Sequence, residues 1–187
     1  RRFSTNSYGW FNWVFDTLAT LPKQANVLEL GTGSGALWVD IADKIPDAWA
    51  ITLSDLSDGM LDAAWRNLVV TGTNFKFEQL DAQSIPYADE TFDIVIANHM
   101  LYHVPNRNQA IGEIRRVLKP GGCFFAATNG EGHMAEQWRL AEEFVQKHRL
   151  PTADWHGTLG RTFSLENGGA QIREHFDHVD LLLYKDA

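Results

Sequence analysis

The chain has 187 residues, of which 44% are hydrophobic and 21% charged, and its net charge is −8. These values are typical of one folded domain with a substantial core, and they exclude a chain that is disordered throughout. The 16 basic residues do not cluster, so no nucleic-acid partner is expected, and no apolar stretch approaches the ~20 residues that span a membrane.

Apolar runs and amphipathic segments alternate along the chain. Apolar residues at three- and four-residue spacing predict a helix over residues 7–18, which Pro22 ends. Short segments rich in apolar residues predict strands at residues 27–30, 49–53, 75–80, 92–97, 123–127 and 179–184. Periodic segments predict further helices at residues 36–45, 57–70, 107–118, 134–148 and 165–175. Residues 149–163 show the least pattern.

This alternation predicts an α/β fold with a doubly wound, mostly parallel sheet and helices on both faces. In such sheets a ligand binds at the carboxyl ends of the strands. The residues that follow the first four predicted strands are therefore the candidates for a site: residues 29–35, Asp55, Asp81 and residues 98–103.

The first strand runs into Glu29-Leu30-Gly31-Thr32-Gly33-Ser34-Gly35-Ala36. Glycines here let the backbone turn sharply and approach a ligand, with helix N–H groups behind them. Together with Asp55, the run also satisfies a dinucleotide fingerprint, so an NAD-dependent oxidoreductase is an alternative. The Glu29 carboxylate would repel a pyrophosphate and attract a cation such as a sulfonium, which favours a different ligand.

Four segments, in this order, resemble the class I S-adenosylmethionine-dependent methyltransferases, the small Rossmann-like kind. The first is the glycine run just described, and the second is Asp55-Leu56-Ser57-Asp58-Gly59-Met60-Leu61. The third joins residues 80–87 to Phe92-Asp93-Ile94-Val95, and the fourth is Leu118-Lys119-Pro120-Gly121-Gly122. The resemblance implies an enzyme that uses S-adenosylmethionine and moves a methyl group to a small-molecule acceptor by in-line displacement.

The resemblance also implies which residues bind this cofactor. Asp55 would accept the two ribose hydroxyls, and Asp81 with the Ala82 backbone N–H would bind the adenine. Gly35 would only permit close packing of helix and strand. The full set expected to bind the cofactor is Glu29, Gly31, Gly33, Asp55, Leu56, Met60, Asp81, Ala82 and Asn98.

Two histidines follow the fourth strand, beside the expected position of the methyl group. His99 and His103 are the candidates for a general base or for orienting the acceptor, and a purely structural role for each is the alternative. No metal site is expected. Asn98 is followed by His99-Met100-Leu101, which departs from the Asn-Pro-Pro-Tyr type of motif in methyltransferases that modify amide or adenine amino groups.

Aromatic residues on the flanking elements suggest where the acceptor binds. Seven tryptophans in 187 residues favour a flat or apolar small molecule, although these rings could equally pack the core, and cation–π recognition of an amine is also open. The candidates are Tyr8, Trp10, Trp13, Tyr102, Trp138 and Trp155.

We expect residues 1–187 to form one methyltransferase domain. Residues 1–22 would be a helical cap, residues 23–128 the cofactor-binding core, and residues 129–187 the acceptor-side helices and the sixth strand. The family adds a last strand after that one, so a longer full-length protein is expected. The lone Cys123 favours a reducing, cytoplasmic location. The oligomeric state stays open, and a cofactor-binding subunit without activity of its own is a further alternative.

Overall fold

A computed structural model describes residues 6–20, 22–148 and 162–185. Five parallel strands form one sheet in the order β3-β2-β1-β4-β5. The strands are β1 (Ala25–Leu30), β2 (Trp49–Asp55), β3 (Phe75–Gln79), β4 (Phe92–Asn98) and β5 (Leu118–Ala127). The described helices are α1 (Trp10–Leu18), α2 (Ala36–Ile41), α3 (Asp58–Leu68), α4 (Arg107–Val117), α5 (Ala135–Lys147) and α6 (Gly168–Arg173). Short 3₁₀ turns come after α2, α3 and β4, at Ala42–Lys44, Val69–Thr71 and Leu101–His103.

Each face of the sheet carries its own hydrophobic core, because successive side chains of a strand point to opposite faces. Val27 of β1 lies in the core that contains α1 and α2. Its neighbour Leu28 lies in the core that contains α4. Burial on both faces explains why the central strands are mostly apolar. The predicted doubly wound α/β fold is confirmed.

The boundaries of helices and strands follow from the local sequence and its hydrogen bonds. Ser57 caps α3, because its Oγ accepts the backbone N–H of Met60 at 3.4 Å. β5 begins directly after α4, five residues earlier than predicted. Phe92 pairs with Leu118 while Ile94 pairs with Cys123, so the Lys-Pro-Gly-Gly segment between them bulges from the sheet edge.

The predicted sixth strand is wrong. Residues 179–185 form no strand, and the side chains of Leu181, Leu182 and Leu183 are exposed. Three successive leucines lack the alternation of a half-buried strand, and strand formation needs a paired neighbour. The segment is held instead by Tyr184, which packs on Trp10 and Trp13 of α1.

Smaller differences concern the ends of helices. α1 begins after Gly9 rather than at Ser7, and α6 covers only the centre of the predicted residues 165–175. The patternless loop of residues 149–163 falls mostly outside the described residues, which resume at Thr162. Within the described part of the chain, no helix has the length and the hydrophobicity needed to cross a membrane.

Candidate functional site

Polar side chains gather at the carboxyl edge of the sheet. β1 lies between β2 and β4, and all three run in the same direction. Glu29 near the end of β1, Asp55 at the end of β2 and Asn98 at the end of β4 therefore lie at one edge, and Asp81 follows β3. This is the edge at which open α/β sheets bind ligands.

The loop between β1 and α2 depends on its glycines. Gly31 and Gly33 have φ angles of 67° and 56°, in the left-handed region that side chains other than glycine rarely adopt. A Cβ on Gly31 would lie 2.7 Å from Cβ of Met100, whereas a Cβ on Gly33 would have no heavy atom within 4 Å. Gly33 is thus the point at which the backbone stays open to a ligand.

Gly35 permits close packing of two helices, rather than the helix–strand packing that was expected. A Cβ on Gly35 would lie 2.8 Å from Cδ1 of Leu68 and 3.4 Å from Cβ of Ala64, both on α3. The glycine at this position therefore brings the start of α2 close to α3. That contact fixes the direction in which α2 leaves the loop.

Hydrogen bonds from β2 hold the glycine loop in place. Thr32 donates its backbone N–H to the carbonyl of Ser54 at 2.9 Å. The buried Ser54 hydroxyl donates to the carbonyl of Glu29 at 2.6 Å. Asp55 accepts the N–H of Gly33 at 3.0 Å through one oxygen and the N–H of Ser57 at 2.9 Å through the other. The loop is therefore formed by the chain itself, with the Asp55 carboxylate at its centre.

Glu29 lies beneath this loop and is only 3% exposed. One oxygen, Oε2, accepts the Thr32 hydroxyl and the Trp38 indole N–H, each at 2.6 Å. Burial raises the pKa of the Glu29 carboxyl, and the Asp55 charge adds to this, while hydrogen bonds from Thr32, Trp38 and Asn98 oppose it. Sequence reasoning selected Glu29 and missed Trp38, because an indole on the next helix carries no motif.

Asp81 is held by the turn that it begins. Its carboxylate accepts the backbone N–H of Gln83 at 2.8 Å and the Gln83 side-chain amide at 3.1 Å. The Gln83 side-chain oxygen accepts the N–H of Asn106, and its backbone carbonyl accepts the side-chain amide of Gln109. The start of α4 thereby positions the half-buried Asp81, and the neighbouring Ala82 is buried.

Arg116 fixes the rest of the loop after β3, and sequence reasoning did not single it out. Its guanidinium donates to the carbonyls of Ile85 and Tyr87 at 2.8 and 2.7 Å. It also pairs with Glu113 on α4, whose carboxylate accepts the N–H of Ile85 at 2.9 Å. Two side chains of one helix therefore hold this loop at both its donors and its acceptors.

Two apolar side chains stand open at the start of α3. Leu56, which follows Asp55 in the chain, is 67% exposed, and Met60 in the first turn of α3 is 48% exposed. Exposed apolar side chains beside a polar site are suited to a flat, weakly polar ring. Both belong to the set predicted to bind the cofactor, and that role stays a prediction.

The structure separates the two candidate histidines. His99 directly follows β4, has a φ of 52°, and its N–H donates to the carbonyl of Ala127 at 2.9 Å. Burial lowers the pKa of His99, and the nearby His133 lowers it further. A neutral imidazole at this position can accept a proton near neutral pH. His103 is exposed in a 3₁₀ turn and packs on Tyr102.

Some of the predicted aromatic residues form a cluster beside His99. The Trp10 ring lies 5.4 Å from the rings of Trp13 and His99 and 5.5 Å from that of Tyr184. Tyr184 was not predicted; its hydroxyl is buried and makes no hydrogen bond to the described residues.

The other aromatic candidates lie elsewhere or outside the described residues. Tyr8 is half exposed and bonds to Asp16, and Tyr102 lies beside His103. The side chain of Trp138 and all of Trp155 lie outside the described residues. Within the ranges 6–20, 22–148 and 162–185, no group of three or more His, Cys, Asp or Glu side chains could hold a metal ion.

Comparisons with known proteins identify the family of the chain. Residues 28–126 match the family model of the methyltransferase domain. A ubiquinone/menaquinone biosynthesis C-methyltransferase of Teredinibacter turnerae is 36% identical over 115 residues, which are 60% of this chain and 46% of that protein. A malonyl-[acyl-carrier protein] O-methyltransferase of Geobacter sulfurreducens is 37% identical over 145 residues, 71% of this chain and 52% of that protein. The chain spans about half the length of these curated relatives.

A solved structure with a similar fold carries a different name. The crystal structure of the [4+2]-cyclase SpnF is 30% identical and superposes with a TM-score of 0.56. The match covers 61% of this chain and 43% of that one. Similarity in fold therefore extends to a protein whose name describes ring formation rather than methyl transfer.

Proposed function

The chain belongs to the methyltransferase domain family, and on that premise we propose that it transfers a methyl group from S-adenosylmethionine to a small-molecule acceptor. The observation that carries the proposal is the carboxyl edge of the sheet. There the open Gly33 backbone lies 3.0 Å from the Asp55 carboxylate, above the buried Glu29. A cation is favoured beside these carboxylates, and S-adenosylmethionine carries a sulfonium and an ammonium group.

Each polar group at the edge has a part in binding this cofactor. Asp55 offers two carboxylate oxygens to the vicinal ribose hydroxyls, and Leu56 and Met60 cover the adenine. Asp81 and the Ala82 backbone bind the adenine edge. Gly31, Gly33 and Asn98 would hold the methionine end.

Methyl transfer itself needs little chemistry from the protein. The cofactor supplies an activated methyl group, and the protein aligns the acceptor and excludes water. His99 removes a proton where the acceptor has one to lose. The Trp10 ring beside His99, with Trp13 and Tyr184 packed on it, supports the proposal of a flat or apolar acceptor.

Two other functions are separated by direct measurement. The NAD-dependent oxidoreductase rests on the glycine pattern together with Asp55, whereas the family match and the buried Glu29 favour the sulfonium cofactor. A cofactor-binding subunit without activity of its own is the second alternative, since cofactor motifs alone do not distinguish such a subunit from an enzyme.

Calorimetric titration tests the cofactor, and labelled cofactor tests the reaction. We expect S-adenosylhomocysteine to bind and NAD not to bind. Incubation with methyl-labelled S-adenosylmethionine and a set of aromatic small molecules should move label to an acceptor. Binding of NAD without any binding of S-adenosylhomocysteine would contradict the proposal. If the protein binds the cofactor but transfers no label to any acceptor tried, the noncatalytic alternative is favoured.

Asp55→Ala should weaken S-adenosylhomocysteine binding by about 1.5–3 kcal/mol, the scale of hydrogen bonds to a charged group. This corresponds to roughly 10- to 150-fold in Kd, measured by calorimetry. Asp62→Ala is the matched control, because Asp62 is an exposed carboxylate on α3. Equal affinities in the Asp55 and Asp62 variants would remove Asp55 from the site.

A further inference from the structure

Trp38 lies on α2, directly behind the glycine loop, and is fully buried. Its indole N–H donates to Oε2 of Glu29 at 2.6 Å. We propose that Trp38 is a positioning residue that holds Glu29 as a charged carboxylate beneath the loop, so that the site accepts the cationic amino-acid end of its cofactor. This inference rests on the proposed function, since the ligand it concerns is S-adenosylmethionine or its product.

The donor chemistry singles out Trp38 among the partners of Glu29. An indole N–H can only donate, so it requires a lone pair on the carboxyl oxygen. The Thr32 hydroxyl, also 2.6 Å from Oε2, can donate to a carboxylate or accept from a carboxylic acid. Trp38 therefore favours the ionised form of Glu29, because a charged carboxylate oxygen accepts the indole N–H more strongly than a neutral oxygen does. Two short contacts to one oxygen are typical of charge-assisted hydrogen bonds.

Glu29 has no cationic partner in the described part of the chain. The ion pairs there join other residues, and the hydrogen bonds of Glu29 come from the neutral Thr32, Trp38 and Asn98. The charged group that acts on it is Asp55 at the end of β2, and it is of the same sign. A buried carboxylate that is hydrogen-bonded but not ion-paired leaves its charge available to a ligand.

Loss of the indole N–H should therefore act through the charge of Glu29. Burial already favours the protonated form of this carboxyl. Without the Trp38 donor the carboxyl protonates more readily, and a neutral Glu29 no longer attracts an ammonium group. The affinity for a cationic ligand then falls, and it falls more at low pH than at high pH.

Trp38→Phe removes the N–H and keeps most of the ring. We expect it to weaken S-adenosylhomocysteine binding about tenfold at pH 7, the effect of one hydrogen bond to a charged group. In calorimetric titrations between pH 5 and pH 8, the pH below which binding weakens should move upward. Methylthioadenosine, which lacks the amino-acid end, should bind both proteins with the same pH dependence.

Trp49→Phe is the matched control. Trp49, at the start of β2, is also buried. Its indole N–H donates to the carbonyl of Pro22 at 2.9 Å. This variant should lose comparable stability in thermal unfolding while its binding profile stays that of the unmodified protein. Identical pH profiles for the two tryptophan variants would overturn the inference.

Glu29→Gln provides a second variant, since the Gln oxygen can still accept from Trp38 and preserve the fold. Its S-adenosylhomocysteine affinity should be low and independent of pH between 5 and 8. Affinity equal to that of the unmodified protein would overturn the inference by another route. Failure of the unmodified protein to bind S-adenosylhomocysteine at all contradicts the proposed function instead, so the two failures are distinguishable.

Discussion

His99→Gln is expected to lower the rate constant for methyl transfer by about 100-fold, the lower range for loss of a general base. Affinity for S-adenosylhomocysteine should change by less than about twofold, because the loss is confined to the transition state. The residue directly follows β4 at the edge that carries Glu29 and Asp55, against the ring of Trp10. The expectation applies to an acceptor that must lose a proton.

The pH dependence of the reaction gives a second readout of His99. Burial and the neighbouring His133 lower the pKa of His99, so the neutral form that accepts a proton persists below the usual pKa of histidine. Activity should therefore be full at neutral pH and be lost as the pH falls through this lowered pKa. The Gln variant should lack this acidic limb.

His103→Gln is the control for His99, because His103 is exposed in the 3₁₀ turn and packs on the neighbouring Tyr102 ring. Its rate constant should stay within about threefold of the unmodified protein. Parallel falls of turnover and cofactor affinity in His99→Gln would make His99 a packing residue. An equal loss in both histidine variants would remove the distinction between them.

Gly31→Ala should reduce the free energy of unfolding by about 3 kcal/mol. A side chain at the φ of 67° costs about 1–2 kcal/mol, and overpacking adds about 1–3 kcal/mol. The added Cβ would lie 2.7 Å from Cβ of Met100, which follows β4. Urea denaturation with linear extrapolation measures the difference.

Gly33→Ala is the matched control, because Gly33 has a similar φ of 56° and open space around its Cβ position. It should lose only the backbone share, about 1–2 kcal/mol. Met100→Gly combined with Gly31→Ala should destabilise less than the two single changes added together, because glycine at position 100 removes the Cβ that the new side chain would meet. Equal losses in the two glycine variants would show that Met100 does not restrict Gly31.

The sheet was predictable because its signals are local. Each central strand is an apolar run that is buried on both faces, and each break carries glycine, proline or a capping side chain such as Ser57. The motif residues could be placed as well: Glu29, Asp55 and Asn98 lie near or at strand ends, and parallel pairing brings those ends together.

What the sequence did not predict depends on contacts between distant elements. Leu181 and its neighbours read as a strand, but whether a strand forms depends on a paired edge that periodicity does not reveal. Trp38 and Arg116 also carry no motif of their own. Their importance comes from the direction in which helices α2 and α4 present them, toward Glu29 and toward the loop after β3.

The hydrogen bonds that Arg116 and Gln83 make in the loop after β3 affect the thermodynamics of ligand binding. The conformational entropy of that loop is lost when the chain folds, so a ligand that reaches Asp81 meets an ordered surface. Binding free energy there is not offset by loop ordering. Conversely, α4 and the ligand become linked: whatever loosens the helix lowers the fraction of molecules with an ordered loop, and the apparent affinity falls by that fraction.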